Sequence, residues 1–382
     1  DGSYYETQNY AIAESHEPGS TFKLMDLIAV LDDKKADTST VYDSKGGRIQ
    51  YYGRSVKDSN GKGYGKISLA RGFELSSNTI LVQSVYDSYK NNPKQFVDRI
   101  NSYGLNKPLG LPIKGEGVPV IPQPGTNRWS GVALPWMAFG YGLSVTPLQT
   151  LTLYNAVAND GVMVKPIFVS EIKEWNKTIK KFNTEVINPK ICSQETLDKV
   201  QAVLENVVKK GTGSKLYSKD FSMAGKTGTA QVNYKDKSKL YYASSFVGYF
   251  PADEPKYSCI IVVHKPNVAA GYYGADVAGP VFKRIAQKIF TDSPSTNHVK
   301  NIDAKVVSQE KNYSEYYKKV EKEERIIPNV KGMDGMDAVA LLENLGLKVK
   351  VIGVGRVKKQ SLTSGQAFNK NQTIIIELSW SN

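Results

Sequence analysis

"HEPGSTFKLMDLIAVL", His16–Leu31, breaks the chain at Pro18-Gly19 and then sets Leu24, Leu27, Ile28 and Leu31 at helical spacing. A helix is expected from about Ser20 to Leu31, with Ser20 at its start and Lys23 three residues on. Ser20 is then either an ordinary helix cap or a hydroxyl whose proton Lys23 takes. At i and i+3 the two side chains share one face, so Lys23 can reach Ser20 Oγ. A helix start also supplies positive potential and free N–H groups for a developing oxyanion. A serine hydroxyl is a weak nucleophile, however, and lysine serves as its base only when partly desolvated and kept neutral by other cations. The nucleophile reading therefore requires a second lysine and a proton relay elsewhere in the chain.

Both requirements have candidates. "LSSNTI", 75–80, offers Ser76 and Asn78 near a helix start. "AGKTGTAQ", 224–231, offers Lys226, Thr227 and Thr229 on a strand, with Gly228 allowing close backbone approach. SxN and KTG each mean little alone. SxxK, SxN and KTG in this order and these settings are a strong signal together.

Other chemistries have less support. His16, His264 and His298 are the only histidines, with no HxxxH spacing and no clustered Cys/His, so no metal site is expected. His16 reads as an exposed residue before the helix rather than a triad member. "GKGYGK", 61–66, lacks the phosphate-loop pattern, and no cofactor site is expected. Cys192 and Cys259 stand far apart without CxxC partners and read as buried free thiols. A formal charge of +13 suggests acidic partners, but the lysines are scattered, which argues against nucleic acid. The longest apolar run, "CIIVV" at 259–263, is strand-sized and too short to span a membrane.

The 382 residues suffice for two or three domains. Further helices are expected near Phe73–Val85, over Pro93–Tyr103, after Thr146-Pro147 as far as Asn159–Gly161, and from Ser193 to Gly211. Residues 105–135, rich in Pro and Gly, read as a long irregular connection. "KTGTAQVNY", "YYASSFVGYF" and "KYSCIIVVHK" read as an antiparallel meander, covered by a helix from about Asp276 to Phe290. Helices, then strands, then a covering helix give the fold class α/β (α+β) over residues 1–290. A charged linker follows over 291–325. Residues 326–382 form a second small unit, with a helix turning Ala338, Leu341, Leu342 and Leu345 inward and two or three short strands.

On these motifs the chain resembles a class B penicillin-binding protein, a cell-wall D,D-transpeptidase. "NYAIAESHEPGSTFK", "FGYGLSVTPLQTLTLYNAVANDGVMVKP" and "SFVGYFPADEP" resemble segments of that family across residues 1–290. The tail from Ile326 resembles a PASTA module, found on some division-specific members.

The resemblance implies an antiparallel sheet sandwiched by helices, and it implies roles. Ser20 attacks the penultimate D-Ala carbonyl of a peptidoglycan stem peptide and forms an acyl-enzyme. Lys23 is the general base, and Ser76 relays the proton to the leaving D-Ala. Asn78 holds the donor peptide backbone, Lys226 supplies positive field, and Thr227 and Thr229 grip the terminal carboxylate beside Gly228. The backbone N–H groups of Ser20 and Thr229 form the oxyanion hole. An acceptor amine completes the crosslink, and β-lactams enter as mimics of D-Ala-D-Ala. The resemblance also implies an upstream pedestal and membrane anchor, a place on the outer face of the bacterial cytoplasmic membrane, and divisome partners including a membrane glycan polymerase. Two alternatives stay open. A serine β-lactamase or β-lactam sensor shares SxxK and KTG, and a catalytically silent wall-binding scaffold would keep the fold.

Overall fold

The computed structural model divides into two units, Asp1–Pro294 and Ser295–Asn382, and describes residues 8–175, 177–234, 236, 238–269, 271–292 and 325–379. The linker expected over 291–325 lies outside the described residues except at 291–292 and 325.

In the first unit the helices are α1 (Tyr10–Ala13), α2 (Lys23–Asp32), α3 (Leu69–Glu74), α4 (Asn78–Tyr89), α5 (Pro93–Ser102), α6 (Ala133–Met137), α7 (Pro147–Ala158), α8 (Gln194–Lys210) and α9 (Gly274–Asp292). Short strands pair as β1 (Val41–Asp43) with β4 (Lys66–Ser68) and β2 (Arg48–Tyr51) with β3 (Arg54–Lys57). Two more such pairs are β5 (Met163–Val164) with β8 (Val186–Asn188) and β6 (Glu171–Glu174) with β7 (Lys177–Lys181). The main sheet is the expected meander: β9 (Ala224–Val232), β10 (Tyr241–Phe250) and β11 (Tyr257–His264), antiparallel, in the order β11-β10-β9.

Helices cover this sheet on both faces. On one side Phe246 and Phe250 meet Phe282 of α9, with ring centroids 4.7 and 5.6 Å apart. On the other side lies the larger core, in which α2 is central and buried from Lys23 to Leu31. α8 turns Leu197, Val200, Leu204 and Val207 inward, as its spacing predicts. Each such side chain contributes about 1.5–3 kcal/mol by leaving water. Thr146 begins α7 with a capping box, its hydroxyl accepting from Gln149 N while Gln149 Oε1 accepts from Thr146 N.

Three local expectations need correction. The helix expected near Phe73–Val85 is two helices, α3 and α4, interrupted because Ser76 adopts a left-handed φ of 56°. Ser20 precedes the α-helix, in a 3₁₀ turn over Gly19–Thr21, because Gly19 has φ 57° and the chain tightens before Lys23. His16 is half-buried instead of exposed, because its backbone pairs with Val145.

The second unit has α10 (Gly335–Asn344) and strands β12 (Lys348–Ile352), β13 (Arg356–Gln360) and β14 (Thr373–Ser379). β14 is central, parallel to β12 and antiparallel to β13. Ala338, Leu341 and Leu342 pack with Val330, Phe368, Ile374 and Ile376 in a core of their own.

Candidate active site

Three chain segments meet at Ser76 Oγ. Lys226 Nζ donates to it at 2.8 Å, and Lys23 Nζ approaches at 3.3 Å. Lys23 also donates to the Ser76 carbonyl and to Asn78 Oδ1, both at 2.7 Å. Its three protons thus have three neutral acceptors. Both lysines are completely buried, so each charge is costly. Burial pushes the Lys23 ammonium down to about 7, against the opposing pull of Asp58 and Asp26. Burial, followed by the charge of Lys23, holds Lys226 well below the usual lysine range. Lys23 can therefore give up its proton near physiological pH, and the neutral amine is the form a base requires.

The turn carrying Ser76 is braced from several directions. Ser77 caps α4 by accepting from Ile80 N, and its hydroxyl donates to Asp58 Oδ1 at 3.0 Å. Asp58 also accepts from the Thr79 N–H and hydroxyl. Asn78 Nδ2 donates to the Lys57 carbonyl at 2.7 Å, fixing which end of its amide faces Lys23. Before the turn, buried Glu74 accepts from Arg71 at 2.8 Å, and Arg71 also donates to the Lys210 carbonyl at the end of α8. A serine at φ 56° costs on the order of 1 kcal/mol or more, a strain these contacts hold in place.

Ser20 is half-buried in the 3₁₀ turn, and its hydroxyl has no hydrogen-bond partner among the described residues. Lys23 is directed to Ser76 and Asn78 instead. The turn packs along edge strand β9. A Cβ on Gly228 would lie 2.9 Å from Thr21 Cγ2 and 2.2 Å from Ser245 Oγ, so only glycine lets the segments approach this closely. Thr227 Oγ1 lies 2.8 Å from Thr212 Oγ1, and Thr229 Oγ1 accepts from the Gly274 N–H at 3.1 Å.

The sequence-predicted residues therefore fall into two groups. Lys23, Ser76, Asn78 and Lys226 share one hydrogen-bonded network. Ser20, Gly228 and Thr229 lie along the adjoining turn and strand, and Thr227 joins the network only through its carbonyl, which accepts from Lys226 Nζ at 3.1 Å. Sequence reasoning missed Thr212 and Asp58. Gly211 reads in sequence only as a helix stop, and nothing there marks Thr212 as a partner of Thr227. Asp58 sits in an unremarkable turn and gave no signal. Among the described residues no group of three or more His, Cys, Asp or Glu side chains is arranged to hold a metal.

A half-buried serine just before a buried helix, three residues from a lysine with a reachable neutral form and with a second buried lysine on the shared Ser76 hydroxyl, has the layout of the serine–lysine acyl-transfer class. Residues 1–287 match the penicillin binding protein transpeptidase domain, and residues 325–379 match the PASTA domain. The chain belongs to the penicillin-binding protein transpeptidase family, with a PASTA domain following. It is 29% identical to stage V sporulation protein D of Bacillus subtilis over 389 aligned positions, covering 99% of this chain and 56% of that protein. It is 29% identical to peptidoglycan D,D-transpeptidase FtsI of Escherichia coli K12, covering 73% of this chain and 44% of that one. Penicillin binding protein 3 of Mycobacterium tuberculosis, solved in complex with aztreonam, superposes with a TM-score of 0.66 at 26% identity. That match covers 76% of this chain and 65% of the other. The chain spans about half the length of the curated relatives it matches.

Proposed function

We propose that this chain carries the D,D-transpeptidase activity of a class B penicillin-binding protein. Residues 1–290 act as the catalytic unit and 326–382 as a separate PASTA module. The observation that carries this reading is the sharing of Ser76 Oγ by two buried lysines, one of them four positions from a half-buried serine's own turn start at Gly19. Neutral Lys23 takes the Ser20 proton, and the freed oxygen pair attacks the penultimate D-Ala carbonyl. The backbone N–H groups of Ser20 and Thr229 hold the oxyanion. As the tetrahedral centre collapses, the C–N bond breaks and the leaving D-Ala nitrogen takes a proton through Ser76. An acceptor amine then attacks the ester, restoring Ser20 and forming the crosslink. Asn78 aligns the donor backbone. Lys226, Thr227 and Thr229 attract the terminal carboxylate, with Gly228 keeping strand and turn close.

The relatives' names support peptidoglycan as substrate, and the aztreonam complex supports β-lactams as ligands, which the acyl-transfer reading makes covalent inhibitors. The expected setting is the outer face of the bacterial cytoplasmic membrane, with an upstream anchor and septal partners including a glycan polymerase. A second reading of the occasion has its own support. One relative that aligns across both domains is named for sporulation, so the same chemistry would then serve wall synthesis in spore formation.

Mass spectrometry after labelling with a fluorescent penicillin tests the reaction. The adduct is expected on the peptide containing Ser20 and absent from Ser20→Ala. Labelling that survives Ser20→Ala overturns the assignment, and complete absence of labelling favours the silent scaffold.

A further inference from the structure

Asp26 lies one helical turn beyond Lys23 on α2, fully buried, and neither carboxyl oxygen has a hydrogen-bond partner among the described residues. Its sequence neighbours Leu24, Met25, Leu27 and Ile28 are apolar and buried with it. A carboxyl in such surroundings lowers stability, and no hydrogen bond among the described residues offsets that cost. The groups near it are committed elsewhere. Tyr154 of α7 donates its hydroxyl to the Thr21 carbonyl at 2.9 Å. Tyr89 of α4 donates to the Ala29 carbonyl and Asp33. From α8 only apolar side chains and Thr196 are buried on the inner face. The other charged groups acting on Lys23 are Asp58, bound to Ser77 and Thr79, and Lys226 on β9.

Lys23 likewise donates no hydrogen bond to a charged group, since its protons go to a carbonyl, a hydroxyl and an amide oxygen. At i and i+3 on one helix, Lys23 and Asp26 are neighbours. We propose that Asp26 is a positioning residue for the Lys23 base, its otherwise unpartnered carboxylate stabilising the ammonium formed when Lys23 takes the Ser20 proton. This rests on the reading of Lys23 as base given above. In that step the Ser20 O–H bond breaks, the proton joins the Lys23 lone pair, and the Ser20 oxygen pair forms the bond to the acyl carbon. Asp26 exchanges no atom with substrate. It raises the basicity of Lys23, and the stability cost of a buried carboxyl is the counterpart of that effect.

The test compares acylation by a fluorescent penicillin across pH 5–10 in wild type, Asp26→Asn and Asp26→Leu. Both variants are expected to acylate on Ser20 with the midpoint moved down by at least about half a pH unit and with a lower plateau at high pH, because the remaining lysine is a weaker base. Stability should move the opposite way. Burial holds the Asp26 carboxyl well above its ordinary 3.8, so wild type loses stability relative to Asp26→Asn as pH rises above about 4. The melting temperature of Asp26→Asn should therefore exceed wild type at pH 7, with the gap closing towards pH 4. If the wild-type profile is intact and the midpoint stays unchanged in Asp26→Asn, the proposal is overturned while the transpeptidase reading stands. If wild type itself does not acylate, both fall together.

Discussion

Replacing Lys23 by methionine separates the chemistry of the buried lysine from its effect on the fold. Its fall from 10.5 to about 7 means that the folded protein disfavours the charged form by roughly 5 kcal/mol, at about 1.4 kcal/mol per pH unit. Because the folded value lies below the unfolded one, this cost is complete below about pH 7. It disappears as pH rises towards 10.5, where both states hold the amine neutral. Lys23→Met removes that cost, but it leaves the Ser76 carbonyl and Asn78 Oδ1 short of a donor, at roughly 1–3 kcal/mol each. The two effects are of similar size, so the variant should fold with a stability within a few kcal/mol of wild type at pH 7. Acylation should nevertheless fall by about 10²–10⁴, the range of a general base. In wild type the neutral fraction of Lys23 rises about tenfold from pH 6 to pH 8. The second-order acylation rate, followed by stopped-flow fluorescence with a labelled penicillin, should rise with it. A flat profile over that interval, or a folded Lys23→Met that acylates at the wild-type rate, would refute the assignment of Lys23 as base.

Three further outcomes are expected. Gly228→Ala places a Cβ 2.2 Å from Ser245 Oγ and should cost about 1–3 kcal/mol by overpacking. Thermal melts should show the loss, with partial recovery in Gly228→Ala/Ser245→Ala, and a wild-type melting temperature for the single variant would contradict the close approach. Lys226→Ala should weaken acylation by carboxylate-bearing β-lactams by roughly 1.5–3 kcal/mol. An equal loss with an analogue lacking the carboxylate would show that Lys226 acts through Ser76 instead. The penicilloyl ester should persist from tens of minutes to hours, a rate on the order of 10⁻⁴ s⁻¹ and a barrier near 23 kcal/mol. Nitrocefin hydrolysis at several turnovers per second would favour a β-lactamase.

The helices and the meander were legible because their signals are local. Thr146-Pro147, the apolar period of α8 and the three strand-like runs each act within a dozen residues. The candidate residues were legible because SxxK, SxN and KTG occur in order. What sequence could not show was set by contacts between distant segments. Nothing near Ser76 announces φ 56°, which depends on braces from Asp58, Arg71 and α8. Nor did the spacing of Ser20 and Lys23 reveal that Lys23 would turn to residues 53 and 55 positions away. The pairing of Thr212 with Thr227 belongs to the same kind, since it joins a helix end to a strand.

The bonds at Ser76 Oγ join positions separated by 53 and by 150 residues. Neither α2 with α4 nor β9 with its neighbours contains the whole network, so a partly folded chain should possess a serine but no activating surroundings. Covalent labelling would consequently count molecules that have completed long-range assembly, whatever helix content the remainder retain. Added to a refolding mixture in short pulses, a fluorescent penicillin would serve as a clock for the last docking event, while circular dichroism would register the earlier, local ones.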